Sequence, residues 1–282
     1  MLGLIASHPV GQRIARDLAA LYLLDQSPGA PASAPVGTPL PDRAIDPAAL
    51  LPLLREHRID QVIEAADVDT LGCARACAAA GADYLSTSLQ DDACGTEGAQ
   101  PTMIASQVLV PGRRPELAGS HLVGSGMNPG IASALVRAGV EELARRAGAS
   151  PEAIAADLDA IYVTERDTTA HAAIPPAEDV FEMSWSPRHC LEELLEPDAM
   201  ASRDGQVVPL GHRPTDRWYA ARCGAEEITA LAVPHEEVVT LGNLYPWVEC
   251  AFLYSIPQAG RRALLRHPER APGAWRTRAL YP

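Results

Sequence analysis

Lysine is absent from the 282-residue chain, and all 23 of its cationic side chains are arginine. No Schiff-base lysine, lysine general base or P-loop lysine can therefore operate here. Long hydrophobic runs are missing too. None approaches the roughly 18 residues that a membrane-spanning helix needs, so no membrane association is expected. The opening MLGLIASHPVGQR has no basic stretch before its apolar burst and reads as a first strand rather than a signal peptide. A cytoplasmic location is the expectation. Positive charge is in short supply, with 23 basic against 36 acidic residues and a formal net charge of -13. That balance argues against a nucleic-acid backbone as partner and suits a cationic small molecule.

Metal-ligand patterns are lacking as well. The six cysteines stand at positions 73, 77, 94, 190, 223 and 250. Only Cys73 and Cys77 are close, at a spacing that matches neither C-x-x-C nor a zinc ribbon, so buried reduced thiols are expected. His171, His189, His212 and His235 form no H-x3-H or HExxH pattern, and no metal site is predicted. GSGMNPG is not the G-x-S-x-G elbow, which leaves Ser125 a poor hydrolase nucleophile.

What is present is a globular composition, 47% hydrophobic and 21% charged, which excludes disorder and collagen-like fibres. At roughly 150 residues per domain the length predicts about two domains. Strands are expected at 2–6, 22–25, 59–65 and 84–88, and helices at 11–21, from Asp46-Pro47 onward with a kink or restart at Pro52, and over 69–80. A Pro/Gly/Ala/Ser-rich stretch at 27–41 reads as loop. Alternating strands and helices predict an α/β fold with a parallel sheet. In GSGMNPG (124–130), Asn128 and Pro129 suit the N-cap and first position of a helix ending at Gly148. Beyond Leu158 the texture changes to short β-branched segments, among them Val238-Val239-Thr240 and 248–254, which reads as a mixed α+β domain. The expected division is a Rossmann-like dinucleotide-binding domain at 1–126 and a substrate and dimerisation domain at 127–282.

A dinucleotide fold needs a glycine turn after the first strand and an acid at the end of the second. Here the turn is Ala6-Ser7-His8-Pro9-Val10-Gly11, which keeps only Gly11 of three glycines and places His8 where a pyrophosphate would lie. Asp25 is the candidate acid. Ser7, Val10, Gly11, Asp25, Asp69, Gly126 and Asn128 are the candidate cofactor-binding residues, and the altered turn predicts weak or changed NAD binding.

Four runs occur in one order: HLVGSGMNPGIAS (121–133), VTERDTT (163–169), SWS with Glu193 following Trp185, and HEEVVT (235–240). Together they resemble the bacterial homospermidine synthase family, within the saccharopine dehydrogenase-like group. Further likeness lies in IDQVIEAADVDTLGCARACAAAGADYLSTS (59–88) and YPWVECAFLYSIPQA (245–259). The resemblance implies a homodimeric, NAD-dependent oxidoreductase of polyamine biosynthesis. In that chemistry a primary amine is oxidised to an imine, ammonia leaves, a second amine adds, and the hydride returns. The resemblance further implies roles for individual residues. Asn128 would stand beside nicotinamide and substrate, Glu165 would hold an amine or move a proton, and Trp185 would face the cationic iminium. Glu193, with Glu192 as near competitor, would bind a second amine. His235 and Glu237 would relay protons. Departures are Thr168-Thr169 in place of Thr-Gln, PDAMASRDGQ (197–206) in place of a longer family segment, and a shorter chain. Two further readings compete: a saccharopine-reductase-like or opine-type dehydrogenase, and a non-catalytic homologue that binds a polyamine or a protein.

Overall fold

The computed structural model describes residues 2–6, 22–23, 38–39, 46–66, 68–89, 116–169, 180–184, 187–268, 270 and 274–279. The chain divides into two compact units, Met1–Ala132 and Ser133–Pro282. Strands and helices are numbered below over the described residues alone.

The first unit is a six-stranded parallel sheet. Its strands are β1 (Leu2–Ala6), β2 (Tyr22–Leu23), β3 (Thr38–Pro39), β4 (Gln61–Ala65), β5 (Asp83–Ser86) and β6 (His121–Leu122), in the order β3-β2-β1-β4-β5-β6. This is the order of doubly wound dinucleotide-binding sheets, whose topological switch point lies between β1 and β4. The expected Rossmann-like α/β fold is therefore present. One stretch departs from expectation. Thr38 and Pro39 fall in the segment read as loop, yet they pair with Tyr22 and Leu23 at the sheet edge. An edge strand is where a proline, lacking its N–H, is tolerated.

Helix α1 (Pro47–Glu56) starts as its sequence dictates, with the Asp46 carboxylate accepting from Ala48 N at 2.9 Å and Pro47 at the first position. It runs on through Pro52 without a restart, because the missing N–H leaves only the Ala48 carbonyl without its helical donor. Helix α2 (Thr70–Ala80) is capped by Asp69, which accepts from Gly72 N at 2.8 Å, and ends at Gly81 in the left-handed region (φ 77°). Leu54, Val62, Cys73, Cys77 and Tyr84 make the core between these helices and the sheet. Burial pushes the Cys77 thiol up to about 12, so it is inert, as expected of a structural cysteine.

A turn at 124–130 leads into helix α3 (Ile131–Ala147). Gly126 N bonds Pro129 O, Ile131 N bonds Gly126 O, and Gly130 sits at φ 127°. Asn128 and Pro129 belong to this turn rather than acting as N-cap and first helical residue. The physical reason is Gly130, whose positive φ breaks the helical path between Pro129 and Ile131.

The second unit is built on strands β9 (Met200–Arg203), β10 (Gln206–Pro209), β11 (Trp218–Cys223), β12 (Glu226–Val233) and β13 (Glu249–Ser255), in the order β10-β9-β13-β12-β11. Strand β7 (Ala160–Arg166) lies parallel to β13 along its length, with Cys250 opposite Ile161 and Tyr254 opposite Glu165. Strands β8 (Val180–Met183) and β14 (Arg276–Ala279) form a separate parallel pair. The helices are α4 (Pro151–Ala156), α5 (Pro187–Leu194), α6 (Glu236–Leu244) and α7 (Gln258–Arg266). This is the mixed α+β domain that the sequence texture predicts, and it is built on a largely antiparallel sheet.

Val238-Val239-Thr240 is the clear correction. The β-branched run reads as a strand, but it is the interior of α6, with Val238, Val239, Leu241 and Gly242 all buried. The helix lies so close to β9 that a Cβ on Gly242 would meet Ser202 Cβ at 2.5 Å. Packing of this depth overrides the few tenths of a kcal/mol by which valine and threonine disfavour helix.

No helix among the described residues is long and apolar enough to cross a membrane. Cys73, Cys77, Cys190 and Cys250 are buried free thiols, as the spacing predicts.

Candidate functional site

Alternation along β13 sets up the site. Cys250, Phe252 and Tyr254 point into the cores beneath the helices, whereas Glu249, Ala251 and Leu253 point to the other face. Register carries the same division to β7, where Val163 lies opposite Phe252 and Glu165 opposite Tyr254. Glu165 thus shares the face that α5 and α6 cover.

Helix α5 presents Cys190, Leu191 and Leu194 to the core, and the intervening Glu193 is drawn down with them to 2% exposure. His189 Nε2, one turn earlier, sits 3.2 Å from Glu193 Oε1, and His189 Nδ1 lies 3.9 Å from Glu192. This is the i, i+4 pairing of a helix face. The β12–α6 connection supplies the rest. His235 occupies the N-cap position of α6, and Glu236 and Glu237 form its first turn, where the helix dipole favours carboxylates.

His235 is enclosed by acids. Its Nδ1 is hydrogen-bonded to Glu237 Oε2 and lies 3.4 Å from Glu236 Oε2, while Nε2 is 4.0 Å from Glu193 Oε1. Its ring stacks on Phe252 with centroids 4.1 Å apart and planes 15° from parallel. All four ionisable residues are buried. Burial alone would lower the imidazole pKa, but Glu236, Glu237 and Glu193 outweigh it and lift the group from 6.5 to about 10. His235 is therefore an imidazolium at neutral pH. Burial raises the Glu236 carboxyl, with Glu193 and Glu237 adding to the shift and His235 and His189 opposing it. The Cys190 thiol, held up mainly by burial, also feels Glu193, Glu165 and Asp167, which places these three acids around one buried position.

The cluster can hold a cation and move a proton. Glu193, Glu236 and Glu237 outnumber the two imidazoles packed against them, His235 and His189, and a buried excess of carboxyl groups favours a positively charged guest. In the hydrogen-bonded His235–Glu237 pair the imidazolium is the proton donor and the carboxylate the acceptor. His235, Glu236 and Glu237 also bring one nitrogen and two carboxylate oxygens within 4.8 Å of one another, a spacing that a metal ion can use. Three consecutive residues, His235-Glu236-Glu237, fit neither the H-x3-H nor the HExxH spacing.

Sequence reasoning on its own missed His189 and Glu236. The first carried a usable signal, since His189 and Glu193 stand four apart in a helical stretch. The second carried none, because a surface Glu-Glu pair reads the same way. Trp185 lies outside the described residues, as do Ser7, His8, Val10, Gly11 and Asp25.

In the first unit, Glu64 stands one residue before the end of β4 and is fully buried. Its carboxylate accepts from Ala66 N at 2.6 Å, Tyr84 Oη at 3.2 Å and Ser86 Oγ. The end of β5 and the residues just after it anchor the glycine loop, with Ser125 N on Ser86 O at 2.9 Å and Gly124 N on Ser88 O at 3.2 Å. Asn128 is held within this loop. Asp69, a candidate for cofactor contact, caps α2 instead of standing unengaged.

Gly126 has no room for a side chain. A Cβ there would lie 2.5 Å from Thr87 O, a backbone atom that cannot swing away. Gly126→Ala is expected to cost about 1–3 kcal/mol, the usual penalty of overpacking, measured by urea denaturation. Unchanged stability would mean that the loop relaxes freely.

No family model matches the chain, and neither does any curated protein sequence. Among solved structures, the chain is similar to the homospermidine synthase of Legionella pneumophila, solved in complex with NAD. The TM-score is 0.79 at 13% sequence identity, over 99% of this chain and 70% of that one. The likeness is one of fold: a Rossmann-like parallel sheet followed by a mixed domain with an antiparallel sheet.

Proposed function

We propose that the chain is an NAD-dependent enzyme that acts on a primary amine, such as a polyamine, through an imine, in the manner of homospermidine synthase. The observation that carries this reading is the buried cluster of Glu193, His235, Glu236 and Glu237, with an excess of carboxylate over cation. Glu165 lies on the same sheet face.

The parallel sheet with its switch point between β1 and β4, and a glycine backbone at 126 that admits no side chain, fit a dinucleotide. Gly126 and Asn128 would line it in the first unit. When bound, NAD supplies a hydride acceptor that can return the hydride at the end of the reaction.

The remaining work falls to the chain's own residues. Glu193 holds a substrate ammonium by a charge-assisted hydrogen bond. An amine must shed a proton before its carbon can lose hydride; with His235 already protonated, the Glu237 carboxylate beside it is the group that takes the proton up and later gives it back. After oxidation, a second amine adds to the imine carbon and ammonia departs with the first nitrogen. Glu165 and the excess carboxylate stabilise the cationic iminium on either side of that exchange. Trp185 is assigned to face the same cation, since a ring quadrupole attracts a desolvated cation by about 2 kcal/mol.

Native mass spectrometry of the purified protein with added NAD tests the cofactor, with a weakly held NAD adduct expected, as the altered glycine turn predicts, and the homodimer read in the same spectrum. Turnover on a panel of α,ω-diamines tests the reaction. Trp185→Phe should retain measurable turnover and Trp185→Leu should lose it, at similar melting temperatures, because Phe keeps a ring face. Equal turnover by the two variants would remove the iminium role from Trp185.

A further inference from the structure

The face of β13 turned away from the cluster carries a second concavity. Glu249, Ala251 and Leu253 point into it, together with Ala232 of β12, and its volume is about 300 Å³. Alanine is uncommon in strands, where β-branched and aromatic residues fill the pleated surface. Here Ala232 and Ala251 leave the floor low, and aromatic and cationic side chains rise around it.

Two tyrosines and two arginines form the walls. Tyr162 Oη donates to Glu249 Oε1 at 2.8 Å, and Arg203 Nε donates to Glu249 Oε2 at 2.6 Å. Both oxygens of the only carboxylate in the wall are thereby engaged. The bond to Glu249 also raises the Tyr162 phenol above its ordinary range, with burial adding to it, so it stays a neutral donor. Arg203 uses only Nε, and its two terminal nitrogens make no hydrogen bond among the described residues. Arg217 lies over the Tyr219 ring, 4.9 Å from its centroid, and forms no ion pair among the described residues.

His212 completes the wall. Its Nδ1 lies 2.8 Å from the Arg213 carbonyl and donates to it, and its Nε2 lies 2.9 Å from Tyr219 Oη. The balance is two guanidinium groups against one satisfied carboxylate. The result is a locally cationic pocket on a chain of net charge -13.

We propose that this pocket is a second ligand site, distinct from the acidic cluster, and that it takes a small planar aromatic carboxylate. The Tyr219 ring with its stacked guanidinium, facing a flat alanine floor, selects a flat body. The unspent donors of Arg203 and Arg217 match a carboxylate in a planar fork. The volume lies at the lower end for ligand sites and limits the guest to about one ring and its substituents. This inference stands apart from the amine reading: its residues are on the opposite sheet face and the charge preference is reversed.

Benzoate is the probe, titrated into the whole chain by ligand-detected NMR, with benzylamine, cyclohexanecarboxylate and inorganic phosphate alongside. Benzoate is expected to saturate with a dissociation constant at or below about 1 mM, more tightly than all three comparators. Arg217→Gln should weaken it by about tenfold, the loss of one charge-assisted contact. Ala251→Val should abolish binding by filling the floor. Melting temperatures close to the parent's certify that both variants are folded, and Arg217→Gln, at an exposed position, decides the matter if the valine variant does not fold. Benzoate that fails to saturate, or binds no better than benzylamine, overturns the proposal. Phosphate binding as tight as benzoate, or affinity unchanged in Arg217→Gln, does so too.

Discussion

Replacing His235 with leucine is expected to lower the stability of the chain by about 3–5 kcal/mol, the range for removing one partner of a buried ionic group. The variant leaves Glu193, Glu236 and Glu237 facing one another without the cation that now lies between them. The wild-type pH dependence carries the same information. The folded-state pKa of about 10 stands above the ordinary 6.5, so the folded state binds the extra proton between those values. The stabilisation is complete below about pH 6.5 and is lost as pH rises through about 10. Urea denaturation across that window should show stability falling in the parent and no such loss in His235→Leu. A variant within about 1 kcal/mol of the parent would mean that solvent enters the cluster and screens it.

Glu193→Gln should weaken diamine binding by roughly tenfold to hundredfold, corresponding to the 1.5–3 kcal/mol of a hydrogen bond to a charged group. Glutamine keeps the shape of the side chain and its tie to the neighbouring His189 while removing the charge that attracts an ammonium. Isothermal titration with a diamine at neutral pH reads the change, with the melting temperature as a check on folding. Unchanged affinity would return Glu193 to a structural partner of His189 and remove the amine from this end of the cluster.

Much of the first unit was legible because its signals are local. Asp46-Pro47 opens a helix, Asp69 opens another, and Gly81 ends that one with the positive φ that the stop requires, as Gly148 does after α3 in the second unit. The second unit was less legible where tertiary contact decides. Val238-Val239-Thr240 carries a strand composition, and only the close seat of α6 against Ser202 makes it helical. The turn at Gly130 escaped because Asn-Pro ahead of an apolar run reads as a helix start, whatever the backbone does next. In the site, resemblance of motifs pointed to Glu165, Glu193, His235 and Glu237. Glu193 and the His235–Glu237 pair meet in the buried cluster, and Glu165 shares its sheet face. The aromatic and arginine pocket behind β13 was not readable at all. Its residues come from β7, β9, β11, β12 and β13 and the connection after β10, and no short motif spans them.

Strand β13 has one consequence for how this sequence can change over time. Its even-numbered positions serve the acidic cluster and the core, and its odd-numbered positions serve the pocket behind. Single substitutions can be absorbed on either side. A one-residue deletion within Glu249–Ser255 cannot, because the period of two would exchange the faces and present Phe252 and Tyr254 to the wrong side. Length variation among descendants of this chain should therefore collect in the connections flanking β13, with the strand itself held at constant length.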